Sequence, residues 1–162
     1  MDIRHAKYND IEQVVKIYNS AIPDKLATAD LIEQLVYEKM DWFCKHSEHK
    51  YPLLVAEANK QIIGWASISA FYGRPAYAKT AEISIYILKS HQNKGIATKL
   101  LSKLLEKAKQ NGFQQILAYV FGHNEASINF FEKCGFIKRA ELPQLADMEG
   151  FMADLIILQK SI

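Results

Sequence analysis

Gln92, Asn93, Lys94 and Gly95 stand between a run of β-forming residues and a regular apolar repeat, in the stretch HQNKGIATKLL at 91–101. Polar side chains, a cation and a glycine at a strand-to-helix turn suit the binding of an anion. A helix start leaves backbone N–H groups without intrahelical acceptors and presents the positive end of the helix dipole, so a phosphate placed there is stabilised. Gly95 lets the backbone approach such a ligand, Ala97 is small enough not to crowd it, and Lys94 adds charge. A glycine at a helix start is also an ordinary structural device, and the loop by itself leaves both readings open.

Other chemistry-bearing residues are sparse. His46 and His49 lie three apart in HSEH, but no third ligand motif accompanies them, so they read as solvated surface rather than a metal edge. His91, just before the anion loop, and His123, just before Asn124, could touch a ligand bound there, but read rather as turn residues. Cys44 and Cys134 are ninety residues apart, with no spacing for zinc or a redox dithiol; Cys134 beside Gly135 reads as packed core. Two unpaired cysteines fit a reducing cytoplasm.

These residues need elements to position them. Ile3 opens a short strand. Asn9 and Glu12 then have the spacing of a capping box ahead of Ile11, Val14, Val15 and Tyr18. Asp30 is expected to cap a second helix through Leu31, Leu35 and Val36. YPLLVAEANKQIIGWASISAF, 51–71, reads as a hairpin turning at 58–61. EISIYIL, 82–88, alternates Ile83, Ile85 and Ile87 against Glu82, Ser84 and Tyr86, as a central strand would. Ile96, Leu100, Leu101, Leu104, Leu105 and Ala108 give a helix stopped by Gly112. QILAYVF at 115–121 is the next strand, NEASINFFEKCGF a short helix ending at Gly135, and DLIILQK the last strand. The order predicts a mixed α/β sheet with at least one strand–helix–strand crossover.

At 162 residues the chain can bury about two thirds of its unfolded surface in a single domain, 1–162. A net charge of +2 gives no nucleic-acid footprint, and no apolar run approaches the roughly 18 residues of a membrane span. MDIRHAKYNDI is charged within its first turn and is expected to be neither signal peptide nor anchor.

Gln92-x-x-Gly95-x-Ala97 after EISIYI, followed about thirty residues later by NEASINFFEKCGF, resembles the GNAT superfamily of acetyl-CoA-dependent N-acetyltransferases, whose signature is Arg/Gln-x-x-Gly-x-Gly/Ala. TAEISIYI, GHNEAS and LPQLADMEG look most like its phosphinothricin and small-amino-acid branch. The resemblance implies the GNAT acyltransferase fold, an α/β twisted mixed sheet of about six or seven strands flanked by helices. It implies acetyl-CoA as co-substrate without a metal, a small-molecule amine as acceptor, and the homodimer common in the branch. Backbone N–H groups of Gln92, Asn93, Lys94, Gly95, Ile96, Ala97 and Thr98 would hold the pyrophosphate. Main-chain groups of Ile85, Tyr86 and Ile87 would pair with the pantetheine arm in a slot made where this strand splays from the next. Asn124 matches the pantetheine-bonding position, Ser127 is a further contact beside it, and Lys133 lies at the nucleotide end.

Attack on a thioester needs a neutral amine, hence a base, and Glu82 matches a glutamate of the branch as general base acting through a water. Without the resemblance, Glu82 reads rather as a solvated or ion-paired strand-end carboxylate. Phe131 stands where the superfamily often has a proton-donating tyrosine, so the thiolate is expected to leave unassisted, Tyr86 being the alternative donor. An amino-acid acceptor needs a cation for its carboxylate. Arg74, between Tyr72 and Tyr77 in FYGRPAY, has the planar fork for that role, although Pro75 equally marks an ordinary turn. PDKLATAD, 23–30, would form the other wall of the substrate site. The branch commonly carries Gly-x-Trp-x-Asp near its end; Gly150 and Asp154 are kept and the tryptophan is not. Rival expectations are acetylation of a peptide or polyamine, or a non-catalytic acyl-CoA sensor.

Overall fold

Asn59 and Lys60 both have positive φ, 50° and 64°, the two-residue turn whose twist matches that of the strands it joins. It connects β2 (Leu53–Ala58) to β3 (Gln61–Ala70) as the sequence predicts. Around this hairpin the computed structural model, which describes residues 1–162, places β1 (Asp2–His5), α1 (Ile11–Asn19), α2 (Val36–Cys44), β4 (Thr80–Ile87), α3 (Ile96–Gln110), β5 (Gln115–Phe121), α4 (Glu125–Lys133), β6 (Ile137–Asp147) and β7 (Met152–Ser161). Seven strands form one sheet in the order β1-β2-β3-β4-β5-β7-β6. Every neighbouring pair is antiparallel except β4 and β5, which are joined by the α3 crossover and run parallel.

Alternation along β4 decides which face each residue serves. Ile83, Ile85 and Ile87 face a core in which Leu100 and Leu104 of α3, Ile116 of β5, Phe131 of α4 and Leu158 of β7 are buried. Tyr86 turns the other way, toward a second core where Val14 and Ile17 of α1 meet Phe43 of α2, Leu53 and Trp65. Helices therefore cover both faces, and β4 lies between them.

Two expectations are corrected, and one strand goes beyond them. Asn9 and Glu12 form no capping box: Tyr8–Asp10 is a 3₁₀ turn, and the Asp10 carboxylate accepts the Lys7 N–H at 2.6 Å while Arg4 holds its other side. Asp30 does not cap the second helix. Asn19 bonds both the N–H and the C=O of Gln34, at 3.0 and 2.9 Å, so the chain stays irregular until Val36, and Glu38 caps from within by accepting the Leu35 N–H. Lastly, β6 carries no sequence signal. It pairs only with β7 at the end of the sheet, most of its residues are exposed on both faces, and Pro143 interrupts it, as an edge strand permits.

Candidate acyl-transfer site

The ladder between β4 and β5 runs from Thr80 opposite Gln115 to Ile83 opposite Ala118 and then stops, although β4 continues to Ile87 and β5 to Phe121. Two parallel strands that diverge leave main-chain groups of Ser84–Ile87 facing a gap instead of a partner. The expected splay is present. At its open end the chain turns through His91 into α3, with Asn93 at φ 59° and Gly95 at φ 74°.

No N–H from Asn93 to Thr98 is donated to a protein acceptor. Six consecutive free donors converge at the head of a fifteen-residue helix, which suits a pyrophosphate. The strand-side approach is fixed by Gln92, whose side-chain amide donates to Ile87 O at 3.2 Å, and by Lys94, whose ammonium donates to Ser90 O at 2.9 Å. The side chain of Ile96 is buried, so that residue offers only its backbone. A Cβ on Gly95 would meet nothing within 4 Å; the left-handed φ is what requires glycine there.

Below the gap lies a cavity of about 370 Å³. Glu82, Ser84 and Tyr86 of β4 and Tyr119 and Phe121 of β5 form its floor, and Asn124, Ser127 and Phe131 of α4 one side. Residues Leu26–Asp30, the latter part of PDKLATAD, roof it. Three consecutive carbonyls of this strap are held from below: Lys25 O by the His123 ring at 2.7 Å, Leu26 O by the Asn124 amide at 3.0 Å, and Ala27 O by the Tyr86 hydroxyl at 2.9 Å. Asn124 also caps α4, accepting the Ser127 N–H at 3.1 Å.

Burial pushes the Glu82 carboxyl above the usual carboxylate range. No protein group hydrogen-bonds it, so it keeps its lone pairs for whatever enters the cavity. Burial, with the Glu82 charge second, also raises the Tyr119 phenol, which the sequence analysis missed because a tyrosine in QILAYVF reads as ordinary strand packing. Tyr86 is raised too, first by burial, and its hydroxyl is committed to Ala27 O. Phe131, 7% exposed, packs on Phe130 and Phe136 while touching the cavity.

Other candidates lie outside the cavity. Tyr72, Arg74 and Tyr77 sit on the exposed β3–β4 loop, the two tyrosines 5.6 Å apart between ring centres. Lys133 is exposed at the end of α4. His46 uses Nδ1 on Trp42 O at 2.9 Å, and His91 uses Nδ1 on the Ser90 hydroxyl at 2.9 Å. Asp154 accepts the Gln144 N–H at 2.7 Å, a structural duty between β6 and β7. Also missed were Tyr18, Lys39, Trp42 and Trp65, which with Thr28 and Asp30 enclose the end of the cavity under α1 and α2. Their signal was masked: helical periodicity counts Tyr18 and Trp42 as core.

The acetyltransferase (GNAT) family model matches residues 11–136. YwnH of Bacillus subtilis (strain 168), which carries a provisional phosphinothricin acetyltransferase name, is 42% identical over 163 residues, covering 100% of this chain and 99% of its own. The L-methionine sulfoximine/L-methionine sulfone acetyltransferase of Salmonella typhimurium is 32% identical over 98% of this chain and 93% of its own. Among solved structures, a Sinorhizobium meliloti phosphinothricin acetyltransferase in complex with AcCoA superposes with a TM-score of 0.94 at 28% identity, covering 99% of this chain and 88% of that one.

Proposed function

Because the chain belongs to the acetyltransferase (GNAT) family, we propose that it moves the acetyl group of acetyl-CoA to the primary amine of an amino acid or analogue such as phosphinothricin or methionine sulfoximine. The observation that carries this reading is the meeting of the β4–β5 gap with six unbonded N–H groups at the head of α3. One end suits a pyrophosphate, the gap suits an extended amide-bearing arm, and the cavity beneath can admit an amine.

Acetyl-CoA, when bound, supplies the acetyl thioester. Asn93–Thr98 bind its phosphates through backbone N–H groups, Lys94 contributes charge and Gln92 braces the loop against Ile87. Main-chain groups of Ile85, Tyr86 and Ile87 pair with the pantetheine arm, and a β4 N–H polarises the carbonyl under attack. Asn124 and Ser127 line the same slot, and Lys133 serves the nucleotide end. Glu82 takes a proton from the acceptor's ammonium through a water, leaving the nitrogen lone pair free to form the C–N bond as the C–S bond breaks. With phenylalanine at 131 and the Tyr86 hydroxyl committed to Ala27, the thiolate departs unassisted and takes its proton from solvent. Arg74, with Tyr72 and Tyr77 beside it on the exposed β3–β4 loop outside the cavity, is one cation available to the acceptor's carboxylate.

The enzyme acts as one domain, 1–162, in the cytoplasm, without metal, nucleic acid or membrane. No helix is long and apolar enough to cross a bilayer. A homodimer is supported by exposed Ile137, Leu142 and Leu145 on β6 at the end of the sheet; light scattering giving twice the chain mass in solution would bear it out.

The test is CoA thiol release at mildly alkaline pH with phosphinothricin, methionine sulfoximine, ordinary amino acids, polyamines and short peptides. Release confined to amino acids and their analogues is the expected result. Release with polyamines or peptides alone would overturn the acceptor class, and binding of acetyl-CoA with no amine-dependent release would overturn the enzyme reading.

A further inference from the structure

Lys39 is the one basic residue among those lining the cavity. It projects from α2 with its side chain only 25% exposed, its ammonium 4.8 Å from the Tyr18 ring centre and 3.5 Å from Asp30 Oδ2. That oxygen already accepts the Tyr18 hydroxyl at 2.5 Å, and the Lys39 ammonium makes no hydrogen bond to the protein. A partly buried ammonium paired only at 3.5 Å with one carboxylate oxygen keeps N–H donors for an anion that completes its coordination.

We propose that Lys39 binds the carboxylate of an amino-acid acceptor and so selects amino acids over simple amines, an assignment that rests on the acetyl-transfer reading of the same cavity. Glu82 then serves the ammonium of the acceptor and Lys39 its anionic end. The Tyr18 hydroxyl occupies Asp30 Oδ2, the oxygen that faces Lys39 at 3.5 Å, so the carboxylate balances the Lys39 charge as an ion pair when no acceptor is bound and leaves N–H donors free for one. Arg74, on its exposed loop, is the alternative cation for the same carboxylate.

The experiment is calorimetric titration of the CoA-loaded protein with methionine sulfone and with its carboxamide, in the parent, Lys39→Met, Lys39→Arg and Arg74→Met. The parent is expected to bind the acid more tightly than the amide. Lys39→Met should lose affinity for the acid by about tenfold to a hundredfold, the loss typical of a charge-assisted hydrogen bond, with the amide little changed and Lys39→Arg partly restored. Unaltered CoA affinity in Lys39→Met shows that the variant is folded. An unchanged preference for the acid in Lys39→Met, the full loss in Arg74→Met instead, or no binding of the acid by the parent overturns the proposal. Binding of the acid without CoA release from acetyl-CoA leaves the role of Lys39 intact and overturns the acetyl-transfer reading alone.

Discussion

Ile83 and Ala118 are the last residues paired between β4 and β5, and the site begins where their ladder ends. One residue before that point Glu82 faces the cavity, and past the end of β4 the chain enters the anion loop. A single divergence of two strands thus places base, acyl slot and phosphate cradle in line.

Replacing Glu82 by Gln should lower kcat/KM by about a hundredfold, the order of a general base, chiefly below about pH 9 where the amine is protonated. In the parent the acid limb of kcat/KM should lie above the ordinary glutamate value of 4.5, because burial raises this carboxyl. Pre-steady-state and steady-state rates over pH 5–9.5 test this; superimposable profiles of parent and variant would remove Glu82 from the role.

Glu82 also bears on stability. Its folded-state pKa is raised, so its favourable contribution is complete below the unfolded value near 4.5 and is lost as pH rises through the higher folded value. The Glu82→Gln variant should therefore melt at or above the parent temperature at pH 8, a readout independent of turnover. Melting well below the parent would show that the carboxylate is held by groups that stabilise its charge.

Gly95→Val should weaken acetyl-CoA binding by more than tenfold. The residue must adopt φ 74°, where a β-branched side chain is strained by roughly 1–2 kcal/mol, and its Cβ would project into the space the phosphates need. Titration with acetyl-CoA reads the intrusion and thermal melting the strain. Unchanged affinity would sink the cradle.

Asn124 joins α4 to the strap, and Asn124→Ala removes both the cap on Ser127 and the bond to Leu26 O. Loss of a cap and of the hydrogen bond to the Leu26 carbonyl together should cost about 2 kcal/mol, or some 4–8 °C for a chain of this size. The KM for acceptor should rise with it, since Leu26 roofs the cavity.

Asp10→Asn should destabilise the fold without touching the site. The Arg4 guanidinium holds the Asp10 carboxyl below its ordinary value of 3.8, so this contribution is present above that value and lost as pH falls through the lower folded one. Denaturation at pH 7 should show the variant weaker than the parent, and the gap should close toward pH 3.

What the sequence could show was set by local rules. The crossover β4–α3–β5 follows from a period of two, then of 3.6, then of two again. Asn59-Lys60 fell in the predicted turn, and Gly95 marked the left-handed start of α3. By contrast β6 was invisible, because an edge strand exposed on both faces needs no alternation. The capping expectations at Asn9 and Asp30 failed where another side chain took the duty or the residue found a tertiary partner: Asp10 took the Lys7 N–H, and Asp30 went to Tyr18.

The sequence by itself therefore determined most of the elements, the anion loop and the acidic residue on the central strand, since each depends on neighbours a few positions away. Only the tertiary structure decided that β4 and β5 part at Ile83, that the strap is tied to Asn124 across 98 residues and to Tyr86 across 59, and that Lys39 ends in the same cavity as Glu82. Such contacts depend on how two helices and a loop pack over one face of the sheet, and a periodic pattern records only that a residue faces inward, not which residues it meets there.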